Sequence, residues 1–371
     1  MPVQEFSPPW PFLSALHSGP LRPLHAIVRR TGDRLRPTRI ALHRPVVQAA
    51  QTNILSQAIA HPNEAATITR EIGTGKMPTI VLGGLVPDAP EQVFLLRRFL
   101  LKFGDVYYVN FPRTHFSLDL ICAQLSDLAG ELAAAGQPAV VFSVSFGAGI
   151  AMEWLRRMRV AKISGPVLRG IVLVSPVSCV DDLIAPGTAK PSTLLGRALL
   201  PFLNPNTPPS DAAVEKSRVI FLRMFEAGAQ NKAALRLLMS EAEIFRLRDA
   251  VKATIQGISL DGARSRVRAL SEMAAPTSYF SPQVLPLSSA PSLILFAERE
   301  DAVLDANAPV RLALERAHSA YFPHGRSMVV GSRSGPPVQH ASLIFHFFEF
   351  LPSLQAFYHH VRRTTALPLA A

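Results

Sequence analysis

The sequence predicts an α/β fold with a doubly wound, mostly parallel central sheet and an inserted helical cap. Short apolar runs rich in β-branched residues alternate with stretches of helical periodicity, and the connections between them are short. This alternation is typical of parallel strands joined by crossover helices. The chain has 371 residues, of which 48% are hydrophobic and 18% charged, so it is long enough to bury a large core.

The predicted strands begin with candidates for antiparallel leading strands, which lie between residues 46 and 75. Buried core strands are then predicted at Pro78 to Leu82, Asp105 to Phe111, Ala139 to Val144, Gly170 to Val174, Pro291 to Phe296 and Met328 to Val330. Ligands of such sheets bind beyond the carboxyl ends of the strands. The residues that directly follow each strand are therefore the candidates for function.

Regular alternation stops between residues 179 and 286, where helical stretches follow a segment rich in proline and glycine. We predict a helical cap there, inserted into a core made of residues 76–178 and 287–371. Such an insertion would cover the site and exclude water from it. Residues 1–75 are predicted to form a basic, proline- and arginine-rich N-terminal arm followed by the candidate leading strands.

The formal net charge is +11, and a dense cluster of arginines lies between Arg22 and Arg44, opposed only by Asp33. A basic arm of this kind attracts anionic lipid or nucleic acid. No aromatic residues interleave with the arginines and no nucleic-acid-binding signature is present, which argues against nucleic acid. The two remaining interpretations are an anionic membrane surface as partner and a solvated, arginine-rich surface.

The chain has two cysteines, Cys122 and Cys179, which are too few for a framework of disulfides. So low a cysteine content is typical of a cytoplasmic protein. The N-terminus lacks the basic region and unbroken apolar core of a signal peptide. We therefore expect a cytoplasmic protein, peripheral at a membrane if the basic arm binds lipid.

The most informative segment is Ser143-Val144-Ser145-Phe146-Gly147, where a predicted buried strand turns abruptly into a helix. A serine with small residues two positions before and after it, at such a junction, is the pattern of a nucleophile elbow. The serine must adopt a strained backbone that exposes its Oγ, and bulky neighbours would collide across the turn. An ordinary Ser-Gly turn is the alternative interpretation.

On these residues the chain resembles the α/β-hydrolase superfamily of serine esterases and lipases. The usual pattern of that family is Gly-x-Ser-x-Gly, and Ser143 stands where its first glycine is common. The resemblance covers about Pro78 to Val361. It implies a nucleophile at Ser145, followed along the chain by an acid and then a histidine. Asp301 and His340 occur in that order, each after a predicted strand.

The acid is open between two adjacent residues. Glu300 would be in register with the family's Gly-x-x-Asp segment if Ala297 replaces the glycine, whereas Asp301 is the commoner residue type and is favoured. Asp181 or Asp182 is a third candidate, because some members of the family carry the acid after the preceding strand. For this pair we prefer a capping role in a loop.

The base is open between His340 and His324. His340 follows the proposed last strand and precedes an amphipathic helix, where the family places its base. If the last strand were instead Ser319 to Phe322, His324 would be the better candidate. No spacing of histidines, cysteines and carboxylates suggests a metal site, and no cofactor is expected.

An oxyanion hole needs two backbone donors aimed at one point. Phe146, directly after the nucleophile, would supply one N–H. The resemblance assigns the other to Leu85, in the loop after the first core strand, where Gly83-Gly84 replaces the family's usual His-Gly. The alternative for the double glycine is a plain tight turn.

These residues predict a serine hydrolase that cleaves a carboxylic ester of a hydrophobic acyl group through an acyl-enzyme on Ser145. A thioesterase or an acyltransferase with the same triad is the first alternative. The second is a hydrolase-like binding protein whose site is degenerate, because a fold does not determine a function. The expected partner is a small-molecule ester or acyl substrate.

Overall fold

A computed structural model of the protein describes residues 40–163, 167–204, 206–228, 232–332 and 335–364. Within them, the strands form one sheet in the order β1-β2-β4-β3-β5-β6-β7-β8. The strands are β1 (Ile40–Leu42), β2 (Thr67–Glu71), β3 (Thr79–Leu82), β4 (Val106–Asn110), β5 (Val140–Val144), β6 (Gly170–Val174), β7 (Ser292–Ala297) and β8 (Gly325–Val330). Strands β3 to β8 run parallel, which confirms the predicted fold class.

The two strands at one edge of the sheet are antiparallel: β1 pairs with β2, and β2 pairs with β4. The candidate leading strands thus include β2. The strand β1 lies in the stretch predicted to be the basic arm, ahead of the candidate leading strands. Its residues 40–42 pair with β2 and so extend the sheet. The arginines of the arm from Arg22 to Arg39 lie outside the described residues.

The central strands are buried on both faces. Ile171 and Leu173 of β6 belong to one apolar cluster, and Val172 and Val174 belong to the cluster on the other side of the sheet. Because side chains alternate between the faces of a strand, a strand covered on both sides is apolar at every position. This is why β6 reads as a continuous apolar run rather than as an alternating one.

Helices cover the two faces of the sheet. In chain order they are α1 (Ala49–Ser56), α2 (Ala89–Gln92), α3 (Arg97–Leu101), α4 (Leu118–Ala134), α5 (Phe146–Val160), α6 (Leu194–Leu199), α7 (Asp211–Gly228), α8 (Lys232–Leu238), α9 (Glu241–Gly257), α10 (Leu260–Glu272), α11 (Pro309–Tyr321) and α12 (Phe347–Thr364). The side chain of Ser117 accepts the N–H of Leu120 and so fixes the start of α4. In the described part of the chain, no helix has the length and apolarity needed to cross a membrane.

Helices α6 to α10 lie between β6 and β7 along the chain, in the interval predicted to form the cap. Ser240 and Glu243 form a capping box at the start of α9, in which each side chain bonds the backbone of the other. Ser259 caps α10 in the same interval.

Both cysteines are buried and free, and burial raises the pKa of the Cys122 thiol to about 12, so this thiol is inert near neutral pH.

Candidate active site

Ser145 lies at the junction of β5 and α5 with φ 52° and ψ −118°, a conformation that non-glycine residues rarely adopt. Its N–H donates to the carbonyl of Val174 at 2.8 Å, and its own carbonyl accepts the N–H of Val177 at 3.1 Å. Such a backbone costs about 1–3 kcal/mol and persists only where the surroundings enforce it. The sharp bend predicted at position 145 is therefore present, held from both sides by the chain next to β6.

The small residues around Ser145 are required by close backbone contacts. A Cβ atom at Gly147 would lie 2.3 Å from the carbonyl oxygen of Gly83, and one at Gly149 would lie 2.0 Å from that of Val177. At position 143 the family's usual glycine can be replaced by serine, because the Ser143 hydroxyl is buried and donates to the carbonyl of Val172 at 2.9 Å.

His340 reaches Ser145 from the loop that follows β8. Its Nε2 lies 2.9 Å from Ser145 Oγ, and its Nδ1 is hydrogen-bonded to Oε2 of Glu300. A carboxylate can only accept, so Nδ1 carries the proton and Nε2 is free to accept the hydroxyl hydrogen of Ser145. The N–H of Arg299 donates to the carbonyl of Val338 at 2.9 Å, which ties the His340 loop to the end of β7.

The histidine favoured from the sequence, His340, is the one that meets Ser145, and His324 is not. His324 lies in the turn between α11 and β8, where its carbonyl accepts the N–H of Ser292, the first residue of β7. It is therefore at the amino end of the parallel strands, whereas Ser145 lies beyond a carboxyl end.

The carboxylate at His340 is Glu300, which corrects the preference for Asp301. Oε1 of Glu300 accepts the N–H of Ala297 at 2.6 Å and so closes the turn that follows β7. This bond directs the third residue after the strand inward, and the Glu300 side chain is 0% exposed. Asp301, one position further, is exposed. Register with the family segment, with Ala297 at the glycine position, was thus a better guide than residue type.

The carboxylate of Asp182 bonds backbone groups and not His340. Its carboxylate accepts the backbone N–H groups of Ser178 at 2.7 Å and Val310 at 2.8 Å, which ties the loop after β6 to the start of α11. Burial raises the pKa of Asp182 to about 6. The two backbone contacts agree with the capping role preferred from the sequence.

Ser175 is a site residue that the sequence analysis missed. It directly follows β6 with φ 46°, and its hydroxyl donates to Oε1 of Glu300 at 2.7 Å while accepting the N–H of Ala341 at 3.2 Å. It therefore connects the carboxylate to the backbone directly after His340. Its position at the carboxyl end of a buried strand was the available signal, although no motif marks it.

The loop after β3 carries Leu85, one of the two expected oxyanion donors. The N–H of Gly84 donates to Gln92 Oε1 at 2.7 Å, and Arg266 donates to the carbonyl of Leu85. Among the described residues, no hydrogen bond links the N–H of Leu85 or that of Phe146 to another group of the protein. Both donors are thus available to a ligand.

Arg266, on α10, is 3% exposed, and burial lowers its pKa to about 10. Besides Leu85 it bonds the carbonyls of Phe111 and Pro112, and in the described ranges no carboxylate pairs with it. The two terminal nitrogens of Arg266 make these bonds, while its Nε is buried without a partner among the described residues. Charge-assisted bonds from one buried cation hold the three carbonyls in place. Arg266 therefore anchors the Leu85 loop to the inserted helices, a contact that the sequence analysis did not anticipate.

Ser145 and His340 open into a cavity of about 170 Å³ with mainly apolar walls. The core contributes Leu85, Val86 and the segment after His340. The inserted helices contribute Leu194, Leu195, Phe221, Met224, Phe225, Val251 and Ile255. The helices between β6 and β7 therefore form part of the wall around the serine, as a cap over the site would.

Solved structures share this architecture at low sequence identity. An esterase from Exiguobacterium antarcticum is 15% identical, covers 79% of this chain and 96% of its own, and has a TM-score of 0.52. A bacterial membrane phospholipase A, described as a virulence factor, is 14% identical, covers 95% of this chain and 96% of its own, and has a TM-score of 0.55. The chain has the α/β-hydrolase fold.

The fold is shared with proteins of more than one named activity, since a bromoperoxidase from Bacillus anthracis is 17% identical with a TM-score of 0.50. The sequence itself matches no family model and no curated protein. Function in this α/β-hydrolase fold must therefore be argued from the site. In the described ranges, no group of three or more histidines, cysteines and carboxylates could hold a metal ion.

Proposed function

We propose that the protein is a serine hydrolase that cleaves a carboxylic ester with an apolar acyl group through an acyl-enzyme on Ser145. One observation carries the proposal: a continuous hydrogen-bonded series from Ser145 Oγ through His340 to Glu300. A nucleophile, a base and an acid that holds the base in one tautomer are the requirements of acyl transfer. Ester cleavage is also the named activity of the esterase that shares the fold.

In the first half of the reaction, His340 Nε2 takes the hydroxyl proton as Ser145 Oγ attacks the ester carbonyl carbon. The carbonyl oxygen becomes an oxyanion, to which the N–H groups of Leu85 and Phe146 donate. The intermediate then collapses, the bond to the alcohol oxygen breaks, and His340 returns its proton to that oxygen. Glu300 stabilises the imidazolium throughout by accepting its Nδ1 proton.

In the second half, a water molecule gives a proton to His340 Nε2 and attacks the acyl carbon. The ester bond to Ser145 breaks and the proton returns to Oγ, which releases the carboxylic acid. The apolar wall of the cavity excludes bulk water and strengthens the bonds from the two backbone donors. The same wall supports an apolar acyl group.

The test is labelling by a fluorophosphonate probe together with turnover of p-nitrophenyl butanoate. We expect Ser145→Ala to abolish both. Ser143→Ala is the matched control in the same motif, because the Ser143 hydroxyl bonds a strand carbonyl and not His340, and it should retain labelling. Persistent labelling of the Ser145→Ala protein would contradict the assignment.

A thioesterase or acyltransferase would use the same residues with a different leaving group or acceptor. Acyl-thioesters and esters assayed side by side, with water and with an alcohol as acceptor, separate these activities. A degenerate binding protein would release no p-nitrophenol from any acyl chain length. The anionic membrane expected as partner of the basic arm stays a prediction, testable by co-sedimentation with vesicles that contain anionic lipid.

A further inference from the structure

Two more cavities adjoin the one that holds Ser145, and each shares wall residues with it. The inner arm, which we define by Leu199, Phe202, Ala263 and Val267, shares Leu85, Val86, Phe221 and Ile255 with the central cavity. The outer arm, defined by Leu235, Met239, Ile244 and Phe245, shares Phe225 and Phe345 with it. Four charged residues also line the outer arm, and they form the ion pairs Arg236–Glu241 and Arg248–Glu226. Each arm therefore lies directly against the central cavity, with the shared side chains at the boundary.

The two arms meet the central cavity beside different loops of the candidate active site. The inner arm begins at Leu85 and Val86, in the loop that carries an oxyanion donor. The outer arm begins at Phe345, in the segment that also carries His340. An ester bound at Ser145 thus has one cavity on the oxyanion side and another on the histidine side.

The direction of proton transfer assigns the two halves of the ester to these arms. When the tetrahedral intermediate collapses, His340 Nε2 protonates the alcohol oxygen, so that oxygen must lie against the imidazole. The alcohol portion then extends towards the histidine end, and the acyl portion is left to the oxyanion end. The outer arm is accordingly the alcohol site and the inner arm is the acyl site.

The arms differ greatly in size and in exposure. The inner arm is a cavity of about 60 Å³, with Val267 only 2% exposed. The outer arm measures about 500 Å³ and opens at the surface beside Phe245, which is 58% exposed. The rings of Phe225 and Phe345, with centroids 5.2 Å apart and planes inclined at 63°, stand between the central cavity and the outer arm.

We propose that the substrates are esters of a short apolar acyl group with a large apolar alcohol, the acyl group in the inner arm and the alcohol in the outer arm past Phe225 and Phe345. This deepens the proposed function and rests on it. The larger apolar half of the substrate is then the leaving alcohol, and the hydrophobic acyl group expected from the sequence is a short one.

The experiment measures kcat/KM for two ester series with the full chain. One series varies the acyl group of p-nitrophenyl esters from acetyl to dodecanoyl, and the other varies the alcohol of acetate esters from ethyl to dodecyl. We expect kcat/KM to fall at least about tenfold once the acyl group exceeds the inner arm. In the alcohol series it should rise about fourfold per methylene until the outer arm is filled.

Variants then separate the arms. Ala263→Leu, which fills the inner arm, should lower the butanoyl-to-acetyl ratio about tenfold and leave the dodecyl-to-ethyl ratio as it was. Phe225→Leu, or Phe345→Leu if the first does not fold, should change only the alcohol ratio. Phe348→Leu is the matched control outside both arms and should change neither ratio.

A wild-type preference for long acyl groups, or an effect of Ala263→Leu on the alcohol series, would overturn the arm assignment while labelling and turnover persist. A failure of the proposed function itself would give a different result. In that case neither series is turned over and Ser145 is not labelled. The two failures are therefore distinguishable from one set of measurements.

Discussion

Replacement of Glu300 by glutamine is the most direct test of the hydrogen-bonded series at Ser145. Oε1 of Glu300 accepts from the hydroxyl of Ser175 and from the N–H of Ala297. In the glutamine variant these two donors hold the amide oxygen on their side. The amide NH₂ group then faces His340 Nδ1, where the carboxylate oxygen was.

This exchange reverses the tautomer of His340. An NH₂ group donates, so Nδ1 becomes the acceptor and the ring proton moves to Nε2. A protonated Nε2 cannot take the proton of Ser145. Removing the carboxylate of such a triad costs about 10⁴-fold in kcat, which corresponds to about 5 kcal/mol of transition-state stabilisation. KM should change less than about threefold, because Glu300 does not line the cavity.

The assay is steady-state hydrolysis of p-nitrophenyl butanoate, with the rate of fluorophosphonate labelling as a second reading. Asp301→Asn is the matched control, since it removes the adjacent carboxylate, which is exposed. Its kcat should lie within about twofold of the wild type. Equal losses in both variants, or a larger loss at Asp301, would refute the tautomer argument.

Three further predictions concern the surroundings of the site. Ser175→Ala removes a donor to Glu300 and should lower kcat about tenfold, with the unfolding free energy reduced by about 1–3 kcal/mol in urea. Burial raises the pKa of the Asp182 carboxyl from 3.8 to about 6. Its protonated form therefore favours the folded state, and this contribution to the unfolding free energy is complete below about pH 4. About 3 kcal/mol of this contribution is lost between about pH 4 and pH 6. The difference in unfolding free energy between the wild type and Asp182→Asn should therefore shrink across this range. A difference that does not change with pH would contradict the prediction. Gly149→Ala should unfold or inactivate the protein because its Cβ has no room, whereas the control Gly130→Ala, with no atom within 4 Å, should raise the melting temperature.

The sheet was predictable because its signal is local. A strand such as β6 is buried on both faces, so every position is apolar and the run stands out in the sequence. The strand β1 carries no such signal. It has three residues, all exposed, and β2 is its one sheet neighbour within the part of the chain that the structure describes. An exposed edge strand forms because its backbone pairs with the neighbouring strand, so its sequence need not contain an apolar run.

The contact between Ser145 and His340 was predictable because the elbow pattern is local and the chain order of the candidate residues can be read from the sequence. The choice between Glu300 and Asp301 was harder, since adjacent residues share a composition and differ only in which way a turn directs them. Ser175 and Arg266 were missed because their partners Glu300 and Leu85 are 125 and 181 residues away in the chain. Contacts of that range exist only once the sheet has brought the strand ends together.

The sheet also explains how the site keeps its strained geometry. Ser145, Ser175 and Ala341 all have positive φ, at 52°, 46° and 51°, and each costs about 1–3 kcal/mol. The N–H of Ser145 bonds the last residue of β6, and the N–H of Ser175 bonds the carbonyl of Leu295 in β7 at 2.7 Å.

Sheet pairing thus continues into the strained residues themselves. The Ser175 hydroxyl in turn accepts the N–H of Ala341, the residue after His340, and so helps to hold Ala341 in its positive-φ conformation. Because the hydrogen bonds that hold these residues are the outermost ones of buried strands, they open before the strands do. Conditions that loosen the carboxyl edge of the sheet should therefore abolish activity while most of the fold persists, with loss of turnover preceding loss of the far-ultraviolet circular dichroism signal during denaturation.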